Sequence, residues 1–319
     1  DYKKDEISYF IKDASPKIFV CDPQKRKELE QITGQVGSQV LTLDKNGQGS
    51  LQSQANILSK TFNTIDRRPD DLVALLYTSG TTGRSKGAML TQNNLLSNAK
   101  TLKNLWEVNE DDVLIHALPI FHTHGLFVAL NTALLAGAEV TFLQKFEITE
   151  IIEAICASTL LMGVPTFYTR LLADKRLTVQ LAKNMRLFIS GSAPLLADTH
   201  EEFTRRTGHY ILERYGMTET NMITSNPYNG ERRPGTVGKP LPDVEIQIND
   251  TQTGRENADG EMERAHERAM ADLTPRHVPR RESMHRVVME AFPSARLDNM
   301  GLPCGVERFQ EKGRREVIG

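Results

Sequence analysis

The sequence predicts an α/β protein, because apolar runs of strand length alternate with longer segments of helical period. The runs also end repeatedly in polar or glycine-rich residues, as in an open sheet that presents loops to a ligand at the carboxyl ends of its strands. In chain order the strand readings are Ile18 to Cys21, Leu72 to Tyr77, Val113 to Leu118, Val140 to Leu143, Leu160 to Val164 and Leu187 to Ser190. After Thr91, the residues Leu95, Ala99, Leu102 and Trp106 follow one another at spacings of four, three and four, which predicts a helix with one buried face. Ile148 to Ala157 reads as a second apolar helix.

Composition admits a soluble enzyme without selecting one. The 319 residues, 39% hydrophobic and 25% charged, suit one or two globular domains. A net charge of −2 gives no electrostatic reason to expect nucleic acid or a membrane surface as partner, and no protein partner is evident. Cys21, Cys156 and Cys304 are too far apart for a metal-ligand spacing or a disulfide framework. They fit a reducing compartment, with the cytoplasm expected first and the mitochondrion second, for a eukaryotic source. No run approaches the roughly eighteen apolar residues of a membrane span. The first residues, D-Y-K-K-D-E, are charged rather than signal-like.

The most specific segment is Thr78-Ser79-Gly80-Thr81-Thr82-Gly83-Arg84-Ser85-Lys86-Gly87, which directly follows the strand reading at Leu72. Glycines let backbone N–H groups approach an anion, hydroxyls add donors, and one ammonium supplies a point charge, so the loop is suited to cradle phosphate. Its spacing is neither G-x-x-x-x-G-K-[ST] nor G-x-G-x-x-G. A plain Ser/Thr/Gly surface loop is the alternative from composition alone.

The order of these residues resembles the phosphate loop of the adenylate-forming superfamily, which includes acyl-CoA synthetases, luciferases and peptide-synthetase adenylation domains. Ser85 stands where that family usually has proline. Three further segments resemble the family's motifs in the same order. In Pro119-Ile120-Phe121-His122-Thr123-His124-Gly125, two histidines could be a metal pair without further ligands, or one could cap a turn; the resemblance implies that His122 lines the acyl pocket and donates to the carboxylate. Gly191-Ser192-Ala193-Pro194 is a plain strand-to-helix turn by itself, and the resemblance lays the adenine on it. In Glu213-Arg214-Tyr215-Gly216-Met217-Thr218-Glu219-Thr220, the resemblance gives Tyr215 to the base, Thr218 to a phosphate and Glu219 to Mg²⁺, with Thr78 as a second metal contact. Without it, Glu219 reads as part of a charged turn. Gly235 to Pro242 matches a fifth segment that closes the nucleotide-binding half.

Within the superfamily, Gly163-Val164-Pro165-Thr166-Phe167-Tyr168-Thr169-Arg170 is similar to the malonyl-CoA synthetases, which implies that Arg170 faces the substrate pocket. A dicarboxylate has one carboxylate to activate and a second to neutralise, and guanidinium binds carboxylates bidentately. Thr123, Ser192 and Met217 would help shape that pocket, and Arg170 as a solvated helix residue is the alternative. The implied activity is ligation of malonate to CoA with ATP and Mg²⁺, through a malonyl-adenylate, with Lys86, His122, Thr218 and Glu219 as catalytic groups. The other readings are a ligase for a different short-chain acid, or a nucleotide-binding or interaction remnant without turnover.

The expected fold is the large N-terminal domain of the adenylate-forming enzymes, stacked sheets with flanking helices, in partial form over residues 1–260. Its first part and the small C-terminal domain, with its second lysine, ribose-binding aspartate and hinge, are not read in this chain, so impaired turnover is expected. At Glu261 the text changes: 15 Lys and 13 Arg precede it, whereas 1 Lys and 10 Arg follow. Residues 261–319 are therefore expected to be a poorly ordered Arg-rich tail, with at most short helices near Arg264 to Leu273 and Ser283 to Ala291.

Overall fold

The computed structural model describes residues 2–78, 85–250, 273–279, 285–291, 306–309 and 315–318. Its chain divides into two compact units, Asp1–Arg68 and Pro69–Gly319.

In the first unit, α1 (Lys4–Ala14) and β1 (Ile18–Cys21) are followed by α2 (Arg26–Thr33), β2 (Gln39–Thr42) and α3 (Ser50–Asn56). β1 and β2 pair in parallel, with Ile18 opposite Gln39. Ile11, Leu29 and Ile32 form the buried apolar cluster of this unit.

The second unit opens with a hairpin of β3 (Leu72–Thr78) and β4 (Lys86–Thr91). Thr91 then caps α4 (Gln92–Leu105) reciprocally with Asn94: the Asn94 N–H donates to Thr91 Oγ1 (3.2 Å) and the Thr91 N–H to Asn94 Oδ1 (2.9 Å). Leu95, Ala99, Leu102 and Trp106 are all buried, as their spacing requires. The Trp106 indole N–H donates to Ser225 Oγ at 3.0 Å. Trp106→Phe is expected to lower stability by about 1–3 kcal/mol, through lost volume and the lost hydrogen bond. An unchanged urea midpoint would contradict this.

Next come β5 (Val113–His116), a π-helical segment at His124–Leu130 that runs into α5 (Asn131–Ala136), β6 (Glu139–Phe142), α6 (Ile148–Ile155), β7 (Leu160–Gly163), α7 (Pro165–Ala173), β8 (Leu187–Ser190) and α8 (Ala197–Thr207). The chain continues through β9 (Leu212–Met217), β10 (Asn221–Ser225), β11 (Lys239–Pro240) and β12 (Val244–Asp250). Seven strands form the main sheet in the order β11-β10-β9-β8-β7-β5-β6. From β6 to β9 all neighbours are parallel, while β10 runs antiparallel to β9 and β11 to β10. β7 and β8 are buried at every position, since helices cover both faces of a parallel sheet.

β5 stops at His116, two residues short of the sequence reading. Its partner β6 ends opposite at Phe142, and Pro119 lacks the N–H that would extend the ladder. Ala117 and Leu118 are nonetheless buried. The expected helix at Ser283 to Ala291 is not formed. His285–Ala291 is instead a strand (β14), parallel to β12 and antiparallel to β13 (Leu273–Pro279), and the adjacent β-branched residues Val287 and Val288 favour that choice. Two further strands, β15 (Val306–Phe309) and β16 (Arg315–Ile318), also lie where no strand was read. The helix expected at Arg264 to Leu273 falls outside the described residues except at its last position, where β13 begins. Among the described residues no helix is long and apolar enough to cross a membrane.

Candidate active site

The order of strands reverses between β5 and β7: the chain passes from β5 outward to β6, then returns across β5 to build β7, β8 and β9 on the other side. Loops beyond the carboxyl ends of strands at such a switch point form a crevice for ligands. Four of the segments singled out in sequence leave the sheet at this edge. Pro119 to Gly125 follows β5, Pro165 to Arg170 follows β7, Gly191 to Pro194 follows β8, and Thr218 and Glu219 follow β9.

The strand ends carry the polar groups inward. Thr123 is buried with Oγ1 lacking a hydrogen-bond partner, and Ser190 Oγ at the end of β8 is in the same condition. His124, the first residue of the π-helical segment, is buried, and its Nδ1 lies 3.1 Å from Ser192 Oγ while Nε2 has no partner. π-type turns often occur at functional sites because they re-aim side chains. Ser192 is held at a left-handed φ of 67°, an uncommon and strained conformation for a residue with a side chain. His116 sits beneath, with Nε2 2.9 Å from the Gly125 carbonyl and its ring stacked on Phe142.

Arg214 dominates the electrostatics. It is 3% exposed, and neither Nε nor Nη2 has a partner. Its neighbour Glu213 cannot neutralise it, because successive side chains of a strand point to opposite faces. The Glu213 carboxylate instead accepts from the Gly235 N–H (3.1 Å) and lies 3.2 Å from His200 Nδ1. The Arg214 guanidinium packs against Gly191, just beyond the carboxyl end of β8, and a Cβ there would force it to shift. Desolvation pushes the Arg214 pKa down to about 10, against a raising influence from the Tyr168 hydroxyl, so it stays cationic at neutral pH. Tyr168 is itself fixed by donating to the Ile189 carbonyl at 2.6 Å.

This charge reaches the histidines. Burial holds His124 well below its ordinary value, with Arg214, His122 and His116 adding to the effect. His122, exposed at the rim, is also lowered, by desolvation first and Arg214 second. Both are therefore neutral near pH 7, able to donate one N–H each. A histidine with a depressed folded pKa contributes stability fully above its unfolded value of about 6.5 and loses it as pH falls toward the folded value. The urea midpoint should thus drop between pH 7.5 and 5.5, with a smaller drop in His124→Gln. An equal drop in both would contradict the assignment to His124.

The phosphate loop is described only at its two ends. Thr78 closes β3 and Lys86 opens β4, opposite each other, with Thr78 Oγ1 donating to the Lys86 carbonyl at 3.4 Å; Lys86 is exposed. Ser79, Gly80, Thr81, Thr82 and Gly83 lie outside the described residues. Tyr215, Gly216 and Met217 are the last residues of β9, half-buried, and Thr218 and Glu219 form the turn to β10, with Glu219 exposed. Ala193 and Pro194 are exposed beyond Ser192.

Arg170 lies on α7, the helix that follows β7. It is exposed near the end of α7, with its guanidinium 4.3 Å from the centre of the Phe146 ring and Nη1 donating to the Phe146 carbonyl at 3.4 Å. Stacking on an aromatic face lets a cation keep its water, so burial is not required. The residue given no role in the sequence reading was Arg214. Glu213 and Arg214 are consecutive charged residues directly after Ile211 and Leu212, and only the folded sheet reveals that both are buried.

The chain belongs to the AMP-binding enzyme family, whose model matches residues 1–262. It is 58% identical to ATP-bound MatB from Rhodopseudomonas palustris, with a TM-score of 0.78 over 81% of this chain and 52% of that one. A malonate–CoA ligase of Arabidopsis thaliana is 34% identical over 269 residues, which cover 77% of this chain and 44% of that protein. The mitochondrial malonate–CoA ligase ACSF3 of Mus musculus is 35% identical over 260 residues, 76% and 44% of the two chains. The chain thus spans about half the length of the relatives it matches. The resemblance to the adenylate-forming superfamily, and within it to the malonyl-CoA synthetases, is borne out.

Proposed function

We propose that the protein to which this chain belongs is an ATP-dependent acid–CoA ligase acting on malonate. In the first half-reaction a malonate carboxylate oxygen attacks the α-phosphorus of ATP, forming malonyl-adenylate and releasing pyrophosphate. In the second, the CoA sulfur attacks the acyl carbon, with loss of the thiol proton, and AMP leaves as malonyl-CoA forms.

The observation that carries this reading is the buried Arg214 cation near the switch point, with Nε and Nη2 lacking partners, beside a turn where His124 meets Ser192. A buried charge without a counter-charge is unfavourable unless something anionic arrives. Malonate offers two carboxylates, of which one is activated and the other neutralised. Arg214 supplies the inner positive charge and Arg170 a second one at the exposed rim. Neutral His122 donates to the reacting carboxylate, while Thr123 and Met217 set the width of the pocket. The names of the relatives favour malonate over other acids.

Tyr215 and the turn Gly191 to Pro194 hold the adenine, flat aromatic against small residues. Thr78 to Gly83, Lys86 and Thr218 hold the phosphates. Glu219 is an exposed single carboxylate on a turn, and the described residues hold no group of three or more His, Cys, Asp or Glu suited to a metal. That donor set fits Mg²⁺, which keeps several waters and takes one or two carboxylates together with substrate phosphates. Glu219 would hold it, with Thr78 alongside, and the ion supplies charge neutralisation on the phosphate oxygens when bound. Because one relative bears the name of a mitochondrial enzyme, the mitochondrion stands beside the cytoplasm as the setting.

Incubation with ATP, Mg²⁺ and malonate is expected to yield AMP and pyrophosphate. ADP as product would contradict the reading. Lys86→Ala should weaken ATP binding by about 1.5–3 kcal/mol, the range for hydrogen bonds to charged groups. Unaltered affinity in a nucleotide titration would remove Lys86 from the phosphate site.

A further inference from the structure

We infer that Asn98 is a positioning residue for Glu219, acting through the backbone of Met222. The inference rests on the reading of Glu219 as the Mg²⁺-binding carboxylate. Asn98 projects from α4, and its side-chain amide makes two hydrogen bonds to one residue 124 positions away: Nδ2 donates to the Met222 carbonyl at 2.8 Å, and Oδ1 accepts from the Met222 N–H at 3.3 Å. An amide that both donates to and accepts from one backbone residue fixes its orientation as well as its place, as a neighbouring strand would.

That help falls beside an irregularity in the sheet. β10 pairs with β9 as Asn221 opposite Met217 and Met222 opposite Gly216, and the register then shifts between Met222 and Thr224. A bulge interrupts the ladder, so the pairing that anchors the Thr218-Glu219-Thr220 turn is limited to two positions before the irregularity. Asn221, the first residue after that turn, is buried at a left-handed φ of 54°, and its Oδ1 has no partner. Strain of this kind persists only where the surroundings over-determine the backbone. Asn98 supplies that constraint, and with Asn94 it lines the same pocket as Glu219 and Asn221. α4 also follows β4 directly, so a single continuous segment carries Lys86 at one end and the clamp on the Glu219 hairpin further along.

Partners that orient a metal ligand commonly matter by roughly 10- to 100-fold in metal affinity. The test titrates Mg²⁺ calorimetrically into the chain saturated with a non-hydrolysable ATP analogue, and separately titrates the analogue without metal. Asn98→Leu, similar in size but lacking the amide, is expected to weaken Mg²⁺ binding by roughly 10- to 100-fold while leaving metal-free nucleotide affinity as in the wild type. Hydrogen exchange at residues 216–222 should accelerate in the same variant. If Asn98→Leu does not fold, Asn98→Ser carries the test. Wild-type Mg²⁺ affinity in the Asn98 variant, with Glu219→Gln impaired, overturns the inference and leaves the reading of Glu219 standing. Equal loss of metal-free and metal-dependent binding also overturns it, since that marks a purely structural contact. Wild-type Mg²⁺ affinity in Glu219→Gln overturns the reading of Glu219 and the inference with it.

Discussion

Arg214→Met is expected to make the folded chain more stable by about 1–4 kcal/mol and, in the same variant, to weaken malonate binding by at least roughly tenfold. The two effects have one cause. The guanidinium is almost fully buried, Nε and Nη2 have no partner, and Glu213 faces the other way toward His200. Removing such a charge relieves desolvation, whereas removing one member of a satisfied ion pair costs about 3–5 kcal/mol. Methionine fills a similar volume with a flexible apolar chain and can lie against Gly191 as the guanidinium does. Urea unfolding at pH 7.5 and a malonate titration read the two effects. A destabilised variant would mean that Arg214 has a counter-charge and is structural.

Gly216→Ala is expected to destabilise the chain by about 1–3 kcal/mol and to impair Mg²⁺-dependent ATP binding together with it. A Cβ at Gly216 would run into the Asn221 carbonyl oxygen and would lie 2.7 Å from the Met222 Cα. Both are backbone groups of the facing strand, so no side-chain rotation relieves the overlap. The hairpin must open, and Glu219 at its tip moves with it. Thermal melting and a nucleotide titration with and without Mg²⁺ test this. An alanine variant that binds Mg²⁺ and ATP normally would show that the β9–β10 spacing does not govern the site.

The parallel strands and the helix after Thr91 were legible because burial on a parallel sheet demands continuous apolar runs and burial of one helix face demands a spacing of three and four. Leu160 to Gly163 and Leu95 to Trp106 are instances of each. The motifs were legible because few residue orders serve a phosphate or a base. What escaped was tertiary. Arg214 is one charged residue among many until its strand is paired on both sides, and Asn98 is an ordinary polar residue of a helix until the fold brings Met222 beside it. For Arg170, residue type and resemblance suggest a cation for the substrate, and the fold adds what the sequence does not contain, that its guanidinium stacks on the ring of the buried Phe146. The strand at His285 was missed because its two valines were outweighed by an arginine-rich surrounding text.

The central claim is that a nucleotide and a dicarboxylate meet at the carboxyl edge of the sheet, with Arg214 answering the second carboxylate. Its most direct test is a paired calorimetric titration of malonate and acetate into the chain saturated with Mg²⁺ and a non-hydrolysable ATP analogue, repeated with Arg214→Met. Malonate is expected to bind at least roughly tenfold more tightly than acetate, the low end for a charge-assisted contact, and to lose that advantage in the variant. Acetate binding as tightly as malonate, or a malonate preference that survives in Arg214→Met, would contradict it.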